Sequence, residues 1–281
     1  MVGMKIRGFF LAVALWCSAV QAQTNQGPVS LANGGAGRAA IIPSEAGALN
    51  PAMLPHLRGY YVFGRYDSFQ RNNSAQMGWG ASITDAGEDV FVPATVSYYR
   101  WTERLAGSES TLQDIQLGLG ARLFSNFSFG MVGRRLSTSG GGRSDKAQYN
   151  AGLGILYLPL PQLGLAITGN DILETPEIPM NPLWSFGMNL ILEKLARFSC
   201  DLTAPQKDNP HKRYQYAMGV ESLFAHGFKM RLGHNWDNYN SRVWAAAGLG
   251  WDAPKFSLDY AYQKMLEVDE YRHVVDLGIQ F

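Results

Sequence analysis

The stretch "EYRHVVDLGIQF", residues 270–281, alternates between large apolar side chains and polar or small ones. Val275 and Ile279 fall on one side of a two-residue period, and Arg272 falls on the other. Because successive side chains of a β-strand point to opposite faces, the stretch predicts a strand with one apolar face. Phe281 continues that face, so the strand carries a large aromatic side chain at its end.

From residue 59 onward the chain is a series of similar segments, separated by turn residues and with almost no helical periodicity. Their length fits a tilted transmembrane β-strand, which needs about 9–11 residues. The predicted strands span residues 59–67, 74–83, 92–102, 112–123, 126–136, 147–157, 162–169, 183–192, 196–202, 212–221, 227–236, 241–251, 255–264 and 270–281.

We therefore predict an all-β chain whose residues 59–281 form a closed antiparallel transmembrane β-barrel of about fourteen strands. Hydrocarbon leaves no water to pair with backbone N–H and C=O groups, so a β-structure in a membrane must close on itself. Closure predicts that the last strand, 270–281, pairs with the first, 59–67. A soluble β-sandwich also alternates, so alternation by itself does not separate the two classes.

Two further patterns favour the membrane barrel. Connections after even-numbered strands are mostly tight, such as "FSN", and those after odd-numbered strands are mostly longer and polar, such as "STSGGGRSDK". Outer-membrane barrels have short periplasmic turns and longer external loops, so both termini are expected in the periplasm. Outward aromatic residues also fall near the strand ends, as the belts of such barrels do. They are Tyr66, Tyr98, Trp184, Tyr214, Tyr262 and Tyr271 at the outer rim, and Phe127, Tyr157, Phe198, Phe228, Trp251, Phe256 and Phe281 at the periplasmic rim.

Two segments precede the predicted barrel. Residues 1–22 have a basic start, an apolar stretch and a small-residue end, which is typical of a secretory signal peptide cleaved after Ala22. A lipoprotein signal that uses Cys17 is the alternative, and the bulky Trp16 before it argues against that interpretation. Residues 23–58 are rich in Gly, Ala and Pro and show no strand alternation. We expect them to fold inside the barrel or against its periplasmic mouth, with a short helix from Pro43 to about Leu49.

The motif "GGAGRAAIIPSEAGALNPAML", residues 34–54, resembles the N-terminal segment of FadL-type outer-membrane barrels and their PorV- and PorQ-like relatives. The resemblance implies a fourteen-stranded barrel with an N-terminal hatch in its lumen. FadL-type members move long-chain fatty acids or other hydrophobic molecules, whereas PorV-like members serve protein secretion or surface attachment. The residues that the resemblance assigns to the hatch or gate are Gly35, Gly37, Arg38, Asn50, Pro51 and Ala52.

The inward face of the predicted strands combines glycine with charges of both signs. Recurring inward glycines leave room for a hatch or, alternatively, allow the wall to curve; they are Gly78, Gly80, Gly118, Gly120, Gly130, Gly152, Gly154, Gly187, Gly219, Gly248, Gly250 and Gly278. The inward charges brace the interior as ion pairs or bind a ligand carboxylate. They are Arg65, Asp114, Arg122, Arg134, Arg197, Asp201, Arg213, Glu221, Lys229, Arg231, Asp259, Arg272 and Asp276.

Composition excludes several classes of function. The formal net charge of +1 gives no reason to expect a nucleic-acid partner. We expect no metal and no cofactor, because no Cys or His cluster has ligand spacing, and no enzyme, because no nucleophile motif occurs. The prediction is passive transport of small hydrophobic molecules in the outer membrane of a Gram-negative bacterium, with membrane lipid and such a ligand as partners. The alternative is a non-transporting accessory or structural barrel for protein secretion or surface attachment, with an envelope or secretion protein as its partner.

Overall fold

The computed structural model describes residues 26–71, 74–105, 108–141, 144–173, 182–193, 195–205, 214–238 and 241–281. The predicted signal peptide and Arg213 lie outside these ranges. Fourteen strands are present in the described chain. They are β1 (Gly59–Arg71), β2 (Ser74–Ala86), β3 (Ala94–Leu105), β4 (Ser108–Phe124), β5 (Phe127–Gly140), β6 (Lys146–Leu160), β7 (Leu163–Asn170), β8 (Leu183–Leu192), β9 (Ala196–Pro205), β10 (Gln215–Leu223), β11 (Phe228–Asp237), β12 (Arg242–Ala253), β13 (Phe256–Met265) and β14 (Tyr271–Gln280).

The strands close into one antiparallel barrel in chain order. The seam between β1 and β14 runs from Tyr61 opposite Gln280 to Gln70 opposite Tyr271. Beyond it, Phe281 and Tyr60 exchange backbone hydrogen bonds. The predicted pairing of the last strand with the first is confirmed. We call the end of the barrel that holds Gly59 and Phe281 the terminal end, and the opposite end the loop end.

Several strands run further than the alternation predicts. The segment "STSGGGRSDK" was expected to be a connection, but β5 continues through Gly140 and β6 begins at Lys146. Polar residues at a hairpin end still find backbone partners on the neighbouring strand, so the ladder extends beyond the apolar band. Gly140 and Gly141, with φ of 82° and 68°, turn the chain where the ladder stops.

The two faces of the wall separate as the pattern predicts. On β14, Arg272 and Asp276 are buried in the lumen, whereas Leu277 and Ile279 are 45% and 43% exposed on the outside. Outward aromatic rings meet near both ends of the strands. At the terminal end the Trp251 ring lies 5.9 Å from that of Phe256, and at the loop end the Tyr216 ring lies 6.1 Å from that of Trp236. No helix in the described ranges is long and apolar enough to cross a membrane.

Residues 26–58, which we call the hatch, lie within the lumen as short helical pieces. They are α1 (Pro28–Ala32), a 3-10 helix at Pro43–Glu45, α2 (Ala46–Leu49) and a 3-10 helix at Pro51–His56. The predicted helix from Pro43 to Leu49 is confirmed, whereas α1 was not predicted. Pro51 begins the second 3-10 helix, because a first helical position needs no N–H donor.

The core lies between hatch and wall. A cluster of buried apolar side chains joins the hatch to the inward face of β1 and β6, through Met53, Leu54, Phe63 and Leu156. A second cluster packs Leu31 of α1 against the inward face of β13 and β14. The hatch therefore reaches opposite sides of the lumen.

Candidate functional site: the hatch in the lumen

Asp201 on β9 holds the glycine-rich part of the hatch. Its Oδ2 accepts hydrogen bonds from the backbone N–H groups of Gly37 at 3.0 Å and Arg38 at 3.1 Å. The same oxygen accepts from the Arg38 guanidinium at 3.0 Å. Gly37 has φ of 146°, a conformation that side chains disfavour, and two consecutive N–H groups converge on one oxygen there. A buried carboxylate with a cation and two amides fixes this turn to the wall.

Asn50 connects two parts of the hatch and reaches the wall. Its amide nitrogen donates to the Arg38 carbonyl at 2.8 Å and to the Ile155 carbonyl of β6 at 3.4 Å. Its Oδ1 accepts from the backbone N–H of Ala52 at 3.0 Å, so the side chain caps the 3-10 helix that begins at Pro51. Asn50 is fully buried.

The end of the hatch is tied to β4 and β5. The Ser128 hydroxyl donates to the Ala52 carbonyl at 2.7 Å and lies 2.9 Å from Nε2 of His56. The Arg122 guanidinium donates to the Pro55 carbonyl. Burial, together with the positive charge of Arg122, lowers the pKa of His56 from 6.5 to about 4. His56 is therefore neutral at pH 7.

The first part of the hatch rests on β11 and on an internal carboxylate. Asn235 of β11 donates to the Gly34 carbonyl at 2.7 Å. Oε1 of Glu45 accepts from the N–H groups of Val29 and Ser30 at 2.9 and 3.0 Å, which satisfies the start of α1. The Glu45 bonds fold the hatch onto itself, and the Asn235 bond joins it to the wall.

Inward glycines face the hatch from several strands. A Cβ added to Gly130 would overlap backbone atoms of Pro51 and Ala52, and one added to Gly154 would overlap the Asn50 amide. The contacts support the interpretation that inward glycine leaves room for the hatch. The glycines whose added Cβ would meet hatch atoms are Gly118, Gly120, Gly130, Gly154, Gly164, Gly187, Gly219, Gly233 and Gly248.

The remaining inward charges form ion pairs with one another. Arg65 of β1 and Asp276 of β14 are joined across the seam, with Nε 2.7 Å from Oδ1 and Nη2 2.9 Å from Oδ2. Two networks and two pairs complete the set, and in each of them guanidinium or ammonium groups bind carboxylates. The networks are Arg134 with Asp114 and Asp171, and Arg197 and Arg231 with Glu221 and Asp259; the pairs are Arg272 with Asp67 and Lys229 with Asp252.

A cavity lies on each side of the hatch. The smaller, of about 40 Å³, faces the loop end between Arg38, Leu49, Val132, Arg134 and Asp171. The larger, of about 150 Å³, faces the terminal end, where Gln280 and the exposed Ile41 lie at its margin. Residues 26–58 separate the two.

The structure brings the residues of the resemblance together. Gly37 and Arg38 meet Asp201, whereas Asn50, Pro51 and Ala52 meet β5 and β6. Gly35, with φ of 98°, lies in the turn after α1, where its N–H bonds the Ser30 carbonyl at 2.7 Å. The sequence also placed Asp201 on the inward face but could not show that it meets residues 163 and 164 positions away.

The wall residues Ser128 and Asn235 and the carboxylates Glu45, Asp67 and Asp171 were missed as functional side chains. Strand alternation marks Ser128, Asn235 and Asp67 as inward, but many inward residues share that mark. Within the described ranges no group of three or more His, Cys, Asp or Glu side chains could hold a metal ion.

Comparison with solved structures identifies the architecture. The monoaromatic hydrocarbon channel CymD superposes with a TM-score of 0.70 at 14% identity, over 91% of this chain and 97% of that one. The FadL homologue of Pseudomonas aeruginosa gives 0.63 at 12% identity, over 90% and 97% of the two chains. This chain has the FadL-type outer-membrane barrel fold. The FadL-type resemblance seen in residues 34–54 is confirmed at the level of fold.

A third FadL-type barrel, the toluene transporter TbuX of Ralstonia pickettii, gives a TM-score of 0.70 at 12% identity, over 91% of this chain and 98% of that one. The sequence itself matches no protein-family model and no curated protein. The fold is thus shared with these barrels almost from end to end, although few residues are.

Proposed function

We propose that this chain is a hatch-gated channel for the passive transport of small hydrophobic molecules across the outer membrane. The observation that carries the proposal is the position of the hatch, which separates two cavities inside a closed wall. A molecule that passes from one cavity to the other must displace part of the hatch. Two barrels of the same fold are named as a monoaromatic hydrocarbon channel and as a toluene transporter, which agrees with the proposal.

The wall supports passage along the lumen. Every strand is hydrogen-bonded to both of its neighbours, including β1 to β14. Opening the wall sideways would break the backbone hydrogen bonds between two strands. In hydrocarbon each backbone N–H or C=O group left unpaired costs roughly several kcal/mol. Moving the hatch instead breaks side-chain hydrogen bonds such as those of Asp201 and Ser128. We therefore favour release at the terminal end over lateral release.

Apolar surface lies on both sides of the hatch. Towards the loop end, inward rings of Phe69 and Trp244 lie 6.1 Å apart, and those of Tyr99 and Trp101 lie 5.7 Å apart. Such rings attract apolar and aromatic solutes through area burial and ring-edge contacts. We place the terminal end in the periplasm, as the loop pattern predicts, with residues 1–22 acting as the export signal. Ligand then enters from outside, displaces the hatch and leaves towards the periplasm.

A reversible lock on the hatch tests the proposal. An ideal Cβ at Gly47 of α2 would lie 3.6 Å from Cβ of Thr95 on β3, within the usual disulfide range of about 3.5–4.5 Å. The experiment uses Gly47→Cys with Thr95→Cys, in a chain that also carries Cys17→Ser and Cys200→Ser. Toluene uptake into liposomes is measured for oxidised and reduced forms of this one protein.

We expect uptake in the reduced form and loss of uptake in the oxidised form. The reduced form is its own matched control, because sequence, refolding and insertion are identical. Equal uptake in both forms would show that the hatch does not gate. Absence of uptake in the reduced form and in a chain without residues 26–58 would refute transport. Recovery of a stoichiometric envelope protein together with the barrel would then favour the accessory role.

A further inference from the structure

The larger cavity lies between the hatch and the terminal end, on the opposite side of the hatch from the loop end. Its volume is about 150 Å³. An apolar cavity of about 150 Å³ in an engineered protein accommodates one benzene molecule. One six-membered ring is thus the size of ligand that the space admits.

Hatch and wall together supply the apolar side of this cavity. Val29 and Ile42 come from the hatch, and Tyr61 and Phe63 come from β1. All four are buried, with at most 8% of their surface exposed. The two rings are parallel to within 6°, with centroids 6.1 Å apart, so they present a continuous aromatic wall. A planar ligand ring has aromatic partners along one side.

The opposite side is polar, but its charges are already neutralised. Arg231 binds Glu221 and Asp259, at 2.6 Å in the latter case, and Lys229 binds Asp252. Arg197, which also lines the cavity, binds the same Glu221. Three cations therefore face three carboxylates. An added carboxylate would have to compete with an existing ion pair, whereas a neutral hydroxyl would not. The side chains of Ser44 and Ser257 supply neutral hydrogen-bonding groups in the same lining.

We propose that this cavity is a binding site for a neutral, single-ring aromatic molecule that carries a hydroxyl group, such as a phenol. The ring packs against Tyr61 and Phe63, and the hydroxyl group lies towards the polar side. The assignment rests on the proposed function, in which the cavity holds a molecule that has passed the hatch. It adds the class of ligand and a holding position at the terminal end.

Ligand-observed ¹⁹F NMR titration tests the site, with the full chain in detergent and 4-fluorophenol as the probe. Ser257 lies on β13 with its side chain inward, so Ser257→Trp fills the cavity from the wall and leaves the hatch sequence intact. Leu258→Trp adds the same side chain one residue along β13, on the outward face and outside this cavity. We expect Ser257→Trp to weaken binding about tenfold or more, and Leu258→Trp to leave it unchanged. We also expect 4-fluorobenzoate to bind about tenfold more weakly than 4-fluorophenol.

A second measurement locates the probe even if Ser257→Trp does not fold. In the Cys17→Ser, Cys200→Ser chain, Ser257→Cys places a thiol in the lining, and 4-fluorophenol is expected to slow its reaction with a methanethiosulfonate reagent. Equal affinity of the parent chain and Ser257→Trp, no protection of the thiol, or a preference for 4-fluorobenzoate would overturn the assignment.

The locked hatch separates this inference from transport. The cavity opens at the terminal end, so oxidised Gly47→Cys, Thr95→Cys protein is expected to bind 4-fluorophenol as tightly as the reduced form. Binding without uptake would refute the transport proposal and support the site. Uptake without binding would refute the site and support transport.

Discussion

The barrel wall and the hatch touch along much of the lumen, but different interactions hold them. The wall is a ring of backbone ladders, reinforced inside by buried ion pairs such as Arg65 with Asp276. The hatch meets the wall through side-chain hydrogen bonds, of which those to Asp201 and from Ser128 are clear cases. The backbone hydrogen bonds between neighbouring strands support one another, whereas the side-chain hydrogen bonds between hatch and wall can be broken a few at a time. The comparison shows how one chain can combine a permanent wall with a removable gate.

The largest expected effect is a loss of barrel stability when the ion pair at the seam of the wall is broken. Asp276→Asn leaves the buried Arg65 charge without its partner, and removal of one member of such a pair costs about 3–5 kcal/mol. We expect the urea midpoint of the barrel in lipid vesicles to fall accordingly. Arg65→Met with Asp276→Leu removes both charges and should lose less stability. If the single change is no more harmful than the double change, the ion pair does not stabilise the seam.

The second largest effect is expected when the attachment of the hatch is weakened, and it should be seen in the conductance of the channel. Asp201→Asn removes the charge that balances Arg38, at a cost of about 3 kcal/mol of hatch attachment. Single-channel recordings in planar bilayers are expected to show more frequent opening. Asp67→Asn breaks a similarly buried pair with Arg272 that joins β1 to β14, so it is the matched control. More frequent opening in both variants would contradict the distinction between hatch and wall.

Two glycines of β5 provide the third prediction, in which substitution of one should have a smaller effect and substitution of the other is the control. Gly130→Ala on β5 would push a methyl group into the backbone of Pro51 and Ala52, which costs about 1–3 kcal/mol. Gly133 lies on the same strand and faces outward, where an added Cβ meets nothing within 4 Å. We expect more frequent opening for Gly130→Ala and no change for Gly133→Ala. The same open probability in the two variants would show that the hatch is not packed against this glycine.

Acid should loosen the hatch, with the smallest effect of the four. The pKa of His56 is about 4 in the docked hatch and 6.5 in a solvated chain, so the released form binds the proton first. Docking therefore weakens as the pH falls from about 6.5 to about 4, and it is unaffected by this group at higher pH. Open probability is expected to rise over that window, and His56→Gln should remove part of the rise. An identical pH profile in His56→Gln would exclude His56 as the cause.

Much of the wall could be predicted from the sequence, because each strand carries its own two-residue period. Strand number, closure and the assignment of inward and outward faces follow from residue order alone. The ends of strands could not be predicted in the same way. β5 continues to Gly140 because its hairpin neighbour supplies backbone partners, which is a property of the pair and not of either segment.

The hatch had a recognisable motif but no periodicity from which its contacts could be derived. Residues Gly37, Arg38 and Ala52 were singled out, yet Asp201 and Ser128 were not identified as their partners. Asp201 and Arg38 are 163 residues apart, and only the closed barrel brings them together. The two cavities also depend on closure, because each is bounded by strands distant in sequence.

The sequence by itself determined that "EYRHVVDLGIQF" forms a strand with an apolar outside and a polar inside. A single segment carries that information, since side-chain alternation is a local property of the backbone. Tertiary structure alone decided that Asp276 in this strand meets Arg65, and that Gln280 and Ile279 lie beside a cavity under the hatch. Those facts require the chain to return on itself after more than two hundred residues, and no local pattern encodes which side chains then meet.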